Sequence, residues 1–255
     1  MGHILAIVNQ KGGVGKTTTT VNLAAYLAKN GKETLLLDSD PQGNSTSGIG
    51  KVKKTLQSTT YDVLINQIPL KDVVVESGRK NLWICPSNIN LAGAEVELVD
   101  LVSRETRLKE ALEPVRGMYD FILIDCPPSL GLLTINALTA ATGILVPIQS
   151  EYYALEGLTQ LMETVNLVRR QLNTKLEIFG VLMTMYDKRT QLAKQVADDV
   201  KNVFGEKVFR TIIPRNVRLS EAPSFGLTIL EYDKKSKGSD AYYDLAREVI
   251  KRAGR

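Results

Sequence analysis

The sequence Asn9-Gln10-Lys11-Gly12-Gly13-Val14-Gly15-Lys16-Thr17-Thr18 lies between an apolar run at residues 4–8 and a segment with helical spacing at residues 19–28. A strand, a glycine-rich loop and a helix in this order are the context of a phosphate-binding loop. Glycines let the backbone amides of such a loop turn inward, because they carry no Cβ. These amides and the N-terminus of the helix bind anions. We therefore expect phosphate oxygens to contact the loop, through Gly12, Gly13, Val14, Gly15 and Thr18.

The loop departs from the usual pattern G-x-x-x-x-G-K-[ST], because Gln10 stands where the first glycine belongs. Lys16 is expected to reach the β- and γ-phosphates, and the Thr17 hydroxyl to take one Mg²⁺ position. A second lysine, Lys11, stands at the loop entrance. Lys11 precedes the turn, so it can reach the nucleotide of a facing molecule, as an arginine finger does in trans. The alternative is that Lys11 is a solvated surface lysine.

The composition is that of an ordinary globular protein. The 255 residues suffice for one large α/β domain, with 44% hydrophobic and 24% charged residues. No apolar run approaches the length of about 20 residues that crosses a bilayer, and the first residues lead straight into a strand, without room for a signal peptide. Two distant cysteines give no disulfide framework, so we expect a cytoplasmic location.

The charge is unevenly distributed along the chain. Residues 188–255 hold 15 Lys/Arg against 9 Asp/Glu, whereas residues 1–187 hold 17 against 19, within a net charge of +4. The basic excess therefore lies in the last quarter, away from the glycine loop. A basic region favours a polyanionic partner; a solvated helical surface is the alternative.

Strand-like and helix-like segments alternate throughout. This alternation predicts an α/β fold in which residues 1–255 form one domain, a single doubly wound, mostly parallel sheet with helices on both faces. The predicted strands are residues 4–8, 34–38, 81–86, 119–125, 143–148, 177–184 and 207–213. The predicted helices include residues 61–65, 104–115 and 240–252.

Acidic residues lie at the carboxyl ends of two of the predicted strands. Asp40 lies just beyond the second strand, and Asp125 ends the fourth, which has the form of a Walker B strand. Ligands of open α/β sheets bind at this edge, so Asp40 is expected near the phosphates, although an Asx turn before Pro41 is also consistent. Asp125 is expected to hold Mg²⁺ through a water. The following residues, 126–134, contain tandem prolines and are a candidate switch.

The loop resembles the deviant Walker A motif of the ParA/MinD superfamily of ATPases. Further segments, residues 38–44, 121–128, 182–189 and 214–223, are similar to the chromosomal ParA proteins, often called Soj, so the resemblance covers essentially the whole chain. It implies the strand order 3-2-4-1-5-6-7.

This resemblance implies a partition ATPase that uses ATP and Mg²⁺. ATP would close two subunits into a homodimer that binds double-stranded DNA without sequence preference. A ParB-type centromere-binding protein would stimulate hydrolysis, and the protein would be nucleoid-associated. Lys11 and Lys16 would neutralise charge on the γ-phosphate, while Asp40 would orient the attacking water or act as its base. Pro214 and Asn216 would lie against the adenine. We further expect Arg189 and Arg218, from two loops of the basic region, to contact DNA; internal salt bridges or nucleotide contacts are the alternatives.

Other members of the superfamily remain as alternatives. A nitrogenase-type protein needs cluster-binding thiolates, whereas Cys85 and Cys126 are expected to be packed structural thiols. A septum-positioning ATPase would use the basic end on a membrane, although no membrane association is expected here. A metabolic ATP-dependent enzyme on the same fold would need a small-molecule pocket near the switch.

Overall fold

The computed structural model describes residues 2–151 and 154–254, with the side chains of residues 154–156 left outside the description. It contains a seven-stranded sheet in the order β3-β4-β2-β5-β1-β6-β7. All pairs are parallel except β3 with β4. The strands are β1 (His3–Ile7), β2 (Thr34–Asp38), β3 (Val75–Arg79), β4 (Leu82–Cys85), β5 (Phe121–Asp125), β6 (Gly143–Gln149) and β7 (Glu177–Thr184).

Helices cover both faces of the sheet, as a buried parallel sheet requires. On one face, α1 (Lys16–Lys29) and α12 (Lys237–Ala253) pack together over Leu5, Leu36 and Leu123. On the other face, α7 (Leu132–Ala140) and α8 (Ala154–Gln171) pack over Ile124 and Val146. The longer helices are α1 (Lys16–Lys29), α5 (Leu91–Glu97), α6 (Arg107–Leu112), α7 (Leu132–Ala140), α8 (Ala154–Gln171), α9 (Gln191–Phe204) and α12 (Lys237–Ala253), and the short ones are α2 (Asn44–Gly48), α3 (Thr60–Leu64), α4 (Leu70–Val73), α10 (Val217–Glu221) and α11 (Ile229–Tyr232).

These observations confirm the predicted fold class. They also confirm the predicted order of the first six strands, with the Walker B strand β5 between β1 and β2. Within the described residues, no helix is both long and apolar enough to cross a bilayer.

The predicted strand at residues 207–213 is wrong. This segment runs beside β7 without forming a continuous ladder. It makes two isolated bridges, Val181 to Val208 and Tyr186 to Pro214, and the amides of Phe209 and Ile213 donate to β7. The reason lies in its backbone amides, because those of Arg210 and Thr211 donate to the Glu248 carboxylate of α12, both at 3.0 Å. Amides bound to a side chain cannot join a strand ladder.

The antiparallel edge strand β3 was not predicted. Its sequence, Val-Glu-Ser-Gly-Arg, is polar, and its register shifts between Glu76 and Arg79. Helix bounds also differ from the prediction. In the segment predicted as one helix over residues 104–115, α6 gives way to a 3₁₀ turn at Glu113–Met118, where Pro114 lacks the amide that an α-helix needs. The last helix begins at Lys237, with Ser236 as its N-cap.

Candidate functional site

The glycine loop connects β1 to α1 and is open on its inner side. Gly13 and Gly15 have φ angles of +76° and +87°, which favour glycine. A Cβ built on Gly12 or Gly13 would meet no atom within 4 Å. Gly15 is the N-cap of α1 and provides no side-chain cap. The first amides of α1 are therefore open to an anion.

The loop is held from both sides by polar contacts with neighbouring strands. Asn9 Nδ2 donates to Pro147 O at 2.7 Å, and its Oδ1 accepts from the Lys11 amide at 2.9 Å. On the β7 side, Thr184 Oγ1 donates to Val14 O at 2.8 Å. These contacts fix the loop before any ligand binds, so little ordering entropy remains to oppose binding.

Lys16 is a buried lysine whose ammonium lies inside the loop. Its Nζ donates to Lys11 O at 3.0 Å, and the residue is 7% exposed. Burial lowers the pKa of Lys16 from its ordinary value, while the negative charges of Asp125 and Asp40 act in the opposite direction. A phosphate beside this ammonium would pair a charge that burial leaves poorly solvated.

Two carboxylates lie side by side at the carboxyl ends of β2 and β5. Asp38 and Asp125 are in register and fully buried. Burial raises the pKa of Asp125 against hydrogen bonds from Ser45 and Thr17, and burial together with the charge of Asp125 raises the pKa of Asp38. Two buried carboxyl groups that oppose each other's ionisation favour a cation nearby.

The predicted Mg²⁺ ligands Thr17 and Asp125 are thus brought together. Asp125 also accepts from Ser45 Oγ at 2.7 Å and from Thr20 Oγ1 at 3.1 Å. Carboxylate and hydroxyl oxygens are the ligands that Mg²⁺ prefers, and Mg²⁺ needs few protein ligands because it keeps several waters. The residues present therefore fit this ion.

Asp40 is buried at the same edge, and it both forms a turn and faces the site. Its Oδ1 accepts from the Gln42 amide at 2.8 Å, which is the Asx-type turn of the alternative interpretation. Ser87 Oγ donates to its carbonyl oxygen at 2.9 Å. The negative charge of Asp40 nevertheless acts to raise the pKa of both Lys16 and Asp125. The turn therefore orients a carboxylate that is close to the phosphate site.

Lys11 forms an ion pair with Glu151 of the same chain, which was not predicted. Gln149 Nε2 donates to the other Glu151 oxygen at 2.6 Å. Both ionic side chains remain partly exposed. Lys11 is therefore not a free surface lysine, and it is not turned toward its own loop. Glu151 could have been suspected only from its place just beyond a strand that ends at the ligand-binding edge.

The segment with Pro214 and Asn216 lies next to the loop through the end of β7. Tyr186 bridges to Pro214, and its amide donates to Ile213 O at 3.1 Å. The preceding residues Thr184 and Met185 come within 3.9 Å of a Cβ built on Gly15. Pro214 therefore bridges to the chain just beyond the residues that lie next to Gly15. The Asn216 side-chain oxygen caps α10 by accepting from the Arg218 amide at 2.9 Å.

Arg189 and Arg218 lie on adjacent loops, because the bridge between Tyr186 and Pro214 joins the two chain segments. The Arg189 side chain is 84% exposed and pairs with Asp187 at 2.6 Å. Arg218 is half-exposed and pairs with Glu221 at 2.9 Å and Asp233 at 3.5 Å. Both arginines make the internal ion pairs of the alternative interpretation, yet both face solvent, where such pairs are weak.

The two cysteines are buried free thiols. Burial raises the pKa of both Cys85 and Cys126, whereas cluster ligation needs accessible thiolates. No set of three or more His, Cys, Asp and Glu side chains is placed to hold a metal ion within residues 2–151 and 154–254. The expectation of packed structural thiols agrees with this placement.

A carboxylate that sequence reasoning missed holds the end of the candidate switch. Glu95 of α5 accepts from the Leu132 amide at 2.9 Å and the Leu133 amide at 3.4 Å. It therefore caps the N-terminus of α7, directly after the tandem prolines. A Cβ on Gly131 would lie 2.6 Å from this carboxylate, so the glycine permits the contact.

Glu95→Gln is expected to lower the free energy of unfolding by about 1 kcal/mol, because a neutral amide interacts less with the helix N-terminus than a carboxylate does. Urea denaturation of Glu95→Gln and of the matched variant Glu163→Gln, an exposed position on α8, measures this effect. Equal stabilities of the two variants would contradict a capping role.

Comparison with known proteins extends the resemblance over the whole chain. The family model described as AAA domain matches residues 2–178. The sporulation initiation inhibitor protein Soj of Bacillus subtilis (strain 168) is 58% identical over 249 residues, covering 98% of both chains. The chromosome-partitioning ATPase Soj of Treponema pallidum (strain Nichols) is 54% identical over 254 residues, covering 100% of this chain and 99% of that protein.

A solved structure has the same fold. It is described as cobyrinic acid a,c-diamide synthase from Mycobacterium smegmatis with bound ADP and magnesium, and it is 37% identical, with a TM-score of 0.87 over 100% of this chain and 97% of that chain. Its bound nucleotide and metal agree with the phosphate loop and the paired carboxylates described above. The chain therefore belongs to the AAA-domain family and, within it, to the chromosomal ParA (Soj) family of partitioning proteins.

Proposed function

We propose that this protein is a chromosome-partition ATPase that alternates between a free form and an ATP-bound homodimer on DNA. It is an ATPase of the Soj family. The observation that carries the proposal is the open glycine loop with the buried ammonium of Lys16 inside it and a second lysine, Lys11, at its entrance. The ammonium of Lys11 points away from its own loop, toward Glu151.

ATP binding follows from the loop. The amides of Gly12, Gly13, Val14 and Gly15, with Thr18 at the start of α1, hold the phosphate oxygens, and Lys16 pairs with the β- and γ-phosphates. Pro214 and Asn216 are proposed to lie against the adenine, which is supported by the bridge between Pro214 and Tyr186, just beyond the end of β7.

Thr17 and Asp125 would hold Mg²⁺, with Ser45 and Thr20 orienting the carboxylate. When bound, the ion would supply positive charge that neutralises the phosphates. Asp40 either orients the attacking water or accepts its proton. Its hydrogen bond from the Gln42 amide fixes the carboxylate for either role.

Dimerisation is proposed to move Lys11 from Glu151 to the nucleotide of the partner subunit. The ion pair is exposed enough to exchange, because both side chains are about half in water. A γ-phosphate offers more negative charge than one carboxylate, so ATP on the facing subunit competes well for this lysine. ATP thereby joins the two subunits, and hydrolysis separates them.

DNA binding is proposed for the basic last quarter of the chain. Arg189 and Arg218 project into solvent from adjacent loops, and contacts from arginine to phosphate carry little base information. A dimer doubles this surface, which links DNA affinity to ATP. A ParB-type partner is proposed to stimulate hydrolysis, and binding to DNA would place the protein on the nucleoid.

Arg189→Ala and Arg218→Ala are each expected to weaken binding to all DNA sequences alike. The slope of log affinity against log salt should become shallower by about one for each phosphate that no longer meets an arginine. A salt titration of DNA binding by the ATP-bound form measures this slope, with Arg169→Ala, an exposed arginine on α8, as the matched control. Unchanged slopes in both variants would place the DNA surface elsewhere, or favour a membrane role for the basic end.

The second candidate is a metabolic ATP-dependent enzyme, since the solved relative is described as a cobyrinic acid a,c-diamide synthase. Turnover measured with and without DNA and a ParB-type protein separates the two functions. A partition ATPase is expected to be slow alone and faster with both. An ATP turnover rate that is unchanged by DNA and by a ParB-type protein would contradict the proposal.

A further inference from the structure

We propose that Met185 is a specificity-determining residue whose thioether lies against the base of the bound nucleotide. Met185 directly follows β7 and precedes Tyr186, which bridges to Pro214. The contact rests on the proposed ATP site, and it adds to that site an apolar surface that selects purine over pyrimidine nucleotides.

The backbone of Met185 has an unusual conformation. Its φ angle is +49°, in the left-handed region, where the Cβ of an L-residue crowds the neighbouring carbonyl oxygen. In the part of the chain that the structure describes, the other non-glycine residues with positive φ are the polar residues Gln67, Asn81 and Ser103. An apolar residue persists in this region where its surroundings fix it, and such positions cluster at ligand-binding sites.

Hydrogen bonds fix the residues on both sides of Met185. On one side, Thr184 Oγ1 donates to Val14 O of the glycine loop at 2.8 Å. On the other side, the Tyr186 amide donates to Ile213 O at 3.1 Å. Met185 therefore connects the loop that is proposed to bind the phosphates with the segment that leads to the proposed adenine contacts.

The Met185 side chain lies beside the glycine loop. Its Cε is 3.9 Å from a Cβ built on Gly15, the N-cap of α1. Met185 is half-buried, so part of its surface remains open to a ligand. A nucleotide with its phosphates on this loop and its base at Pro214 extends past Met185, which lies next to the loop and one residue before the bridge to Pro214.

The chemistry of this side chain suits the face of an aromatic base. A thioether is polarizable and flexible, and its sulfur makes favourable contacts with aromatic rings. It is only a weak hydrogen-bond acceptor and no donor, so it recognises the face of a base rather than its edge. A purine presents a larger face than a pyrimidine, so Met185 favours ATP over CTP.

The test measures ligand binding to the whole chain by isothermal titration calorimetry, with Mg²⁺ present. The ligands are ATP, CTP and inorganic tripolyphosphate, which carries phosphates without a base. Met185→Asn and Met185→Gly remove the thioether, and both new side chains tolerate the left-handed backbone. Met185→Leu keeps an apolar side chain of similar volume. Met118→Asn, at an exposed methionine before β5, is the matched control.

Met185→Asn and Met185→Gly are expected to bind ATP about fivefold more weakly, within the range of sulfur–aromatic contacts, and to bind tripolyphosphate as the parent chain does. Their preference for ATP over CTP should narrow, whereas Met185→Leu should retain most of the affinity for ATP and Met118→Asn all of it.

Equal losses of ATP and tripolyphosphate binding would overturn the base contact, since the substitutions would then have disturbed the glycine loop. Unchanged ATP binding in Met185→Asn and Met185→Gly would overturn it as well. A parent chain that binds neither ATP nor tripolyphosphate is a different result, because it would contradict the proposed ATP site itself and the base contact with it.

Discussion

Asp40→Ala is expected to lower ATP turnover by about 100-fold or more, with ATP binding largely retained. The proposed phosphate contacts come from the loop and Lys16, which the substitution leaves in place. The proposed role of the Asp40 carboxylate is to act on the attacking water, and the removal of such a group affects the chemical step. The variant should therefore accumulate as an ATP dimer and remain on DNA. Turnover and nucleotide affinity measured on the same preparation separate the two steps.

The control for Asp40→Ala is Asp72→Ala, which removes an exposed carboxylate on α4. Asp40→Asn adds a second comparison, because an amide oxygen can still accept from the Gln42 amide and keep the turn. If Asp40→Asn is as inactive as Asp40→Ala, the charge is what hydrolysis needs. Turnover equal to that of the parent chain in both variants would reduce Asp40 to a turn residue.

Lys11→Ala is expected to bind ATP but to stay monomeric, with stimulated turnover reduced by about 1,000-fold, the lower range for loss of a cation supplied in trans. Lys11 does not touch its own loop through its side chain and is paired instead with Glu151. Its removal should therefore spare nucleotide binding. Sedimentation with ATP and a nucleotide titration measure the two properties.

Two variants sharpen this test. Lys80→Ala removes an exposed lysine elsewhere and should dimerise normally. Glu151→Gln frees Lys11 without removing it, so ATP-dependent dimerisation should be retained or strengthened. The proposal is that the Lys11 side chain leaves Glu151 and contacts the nucleotide of the partner subunit. It would be contradicted if Lys11→Ala formed an ATP-bound dimer, or if Glu151→Gln stayed monomeric with ATP.

The centre of the fold was predictable because its signals are local. The apolar runs that become β1, β2 and β5 are five-residue segments, buried along nearly all their length, and the glycine loop follows β1 directly. Asp125 could be placed because the carboxyl ends of parallel strands meet at one edge of the sheet. The structure adds that Asp38 opposes it in register, a relation between strands distant in sequence.

The remaining features depend on contacts between distant residues. Glu151 is 140 positions from Lys11, and Glu95 is 37 positions from the amide that it caps. Nothing in the local pattern of either residue indicates its partner. The segment at residues 207–213 has the apolar content of a strand, but a side chain of α12 holds two of its amides. Tertiary contacts therefore outweighed the local preference of this segment for a strand.

The Glu248 contact has a consequence for how molecules of this protein can meet. β7 is the last strand of the sheet, and an open edge strand is a template for pairing with another chain. Here Phe209 and Ile213 donate to Val181 O and Met183 O along that edge. Glu248 and Arg252 hold the covering segment in place, with Arg252 donating to Val208 O at 2.8 Å. Sheet extension is thereby blocked at this side, so two copies of this chain cannot join their sheets through β7.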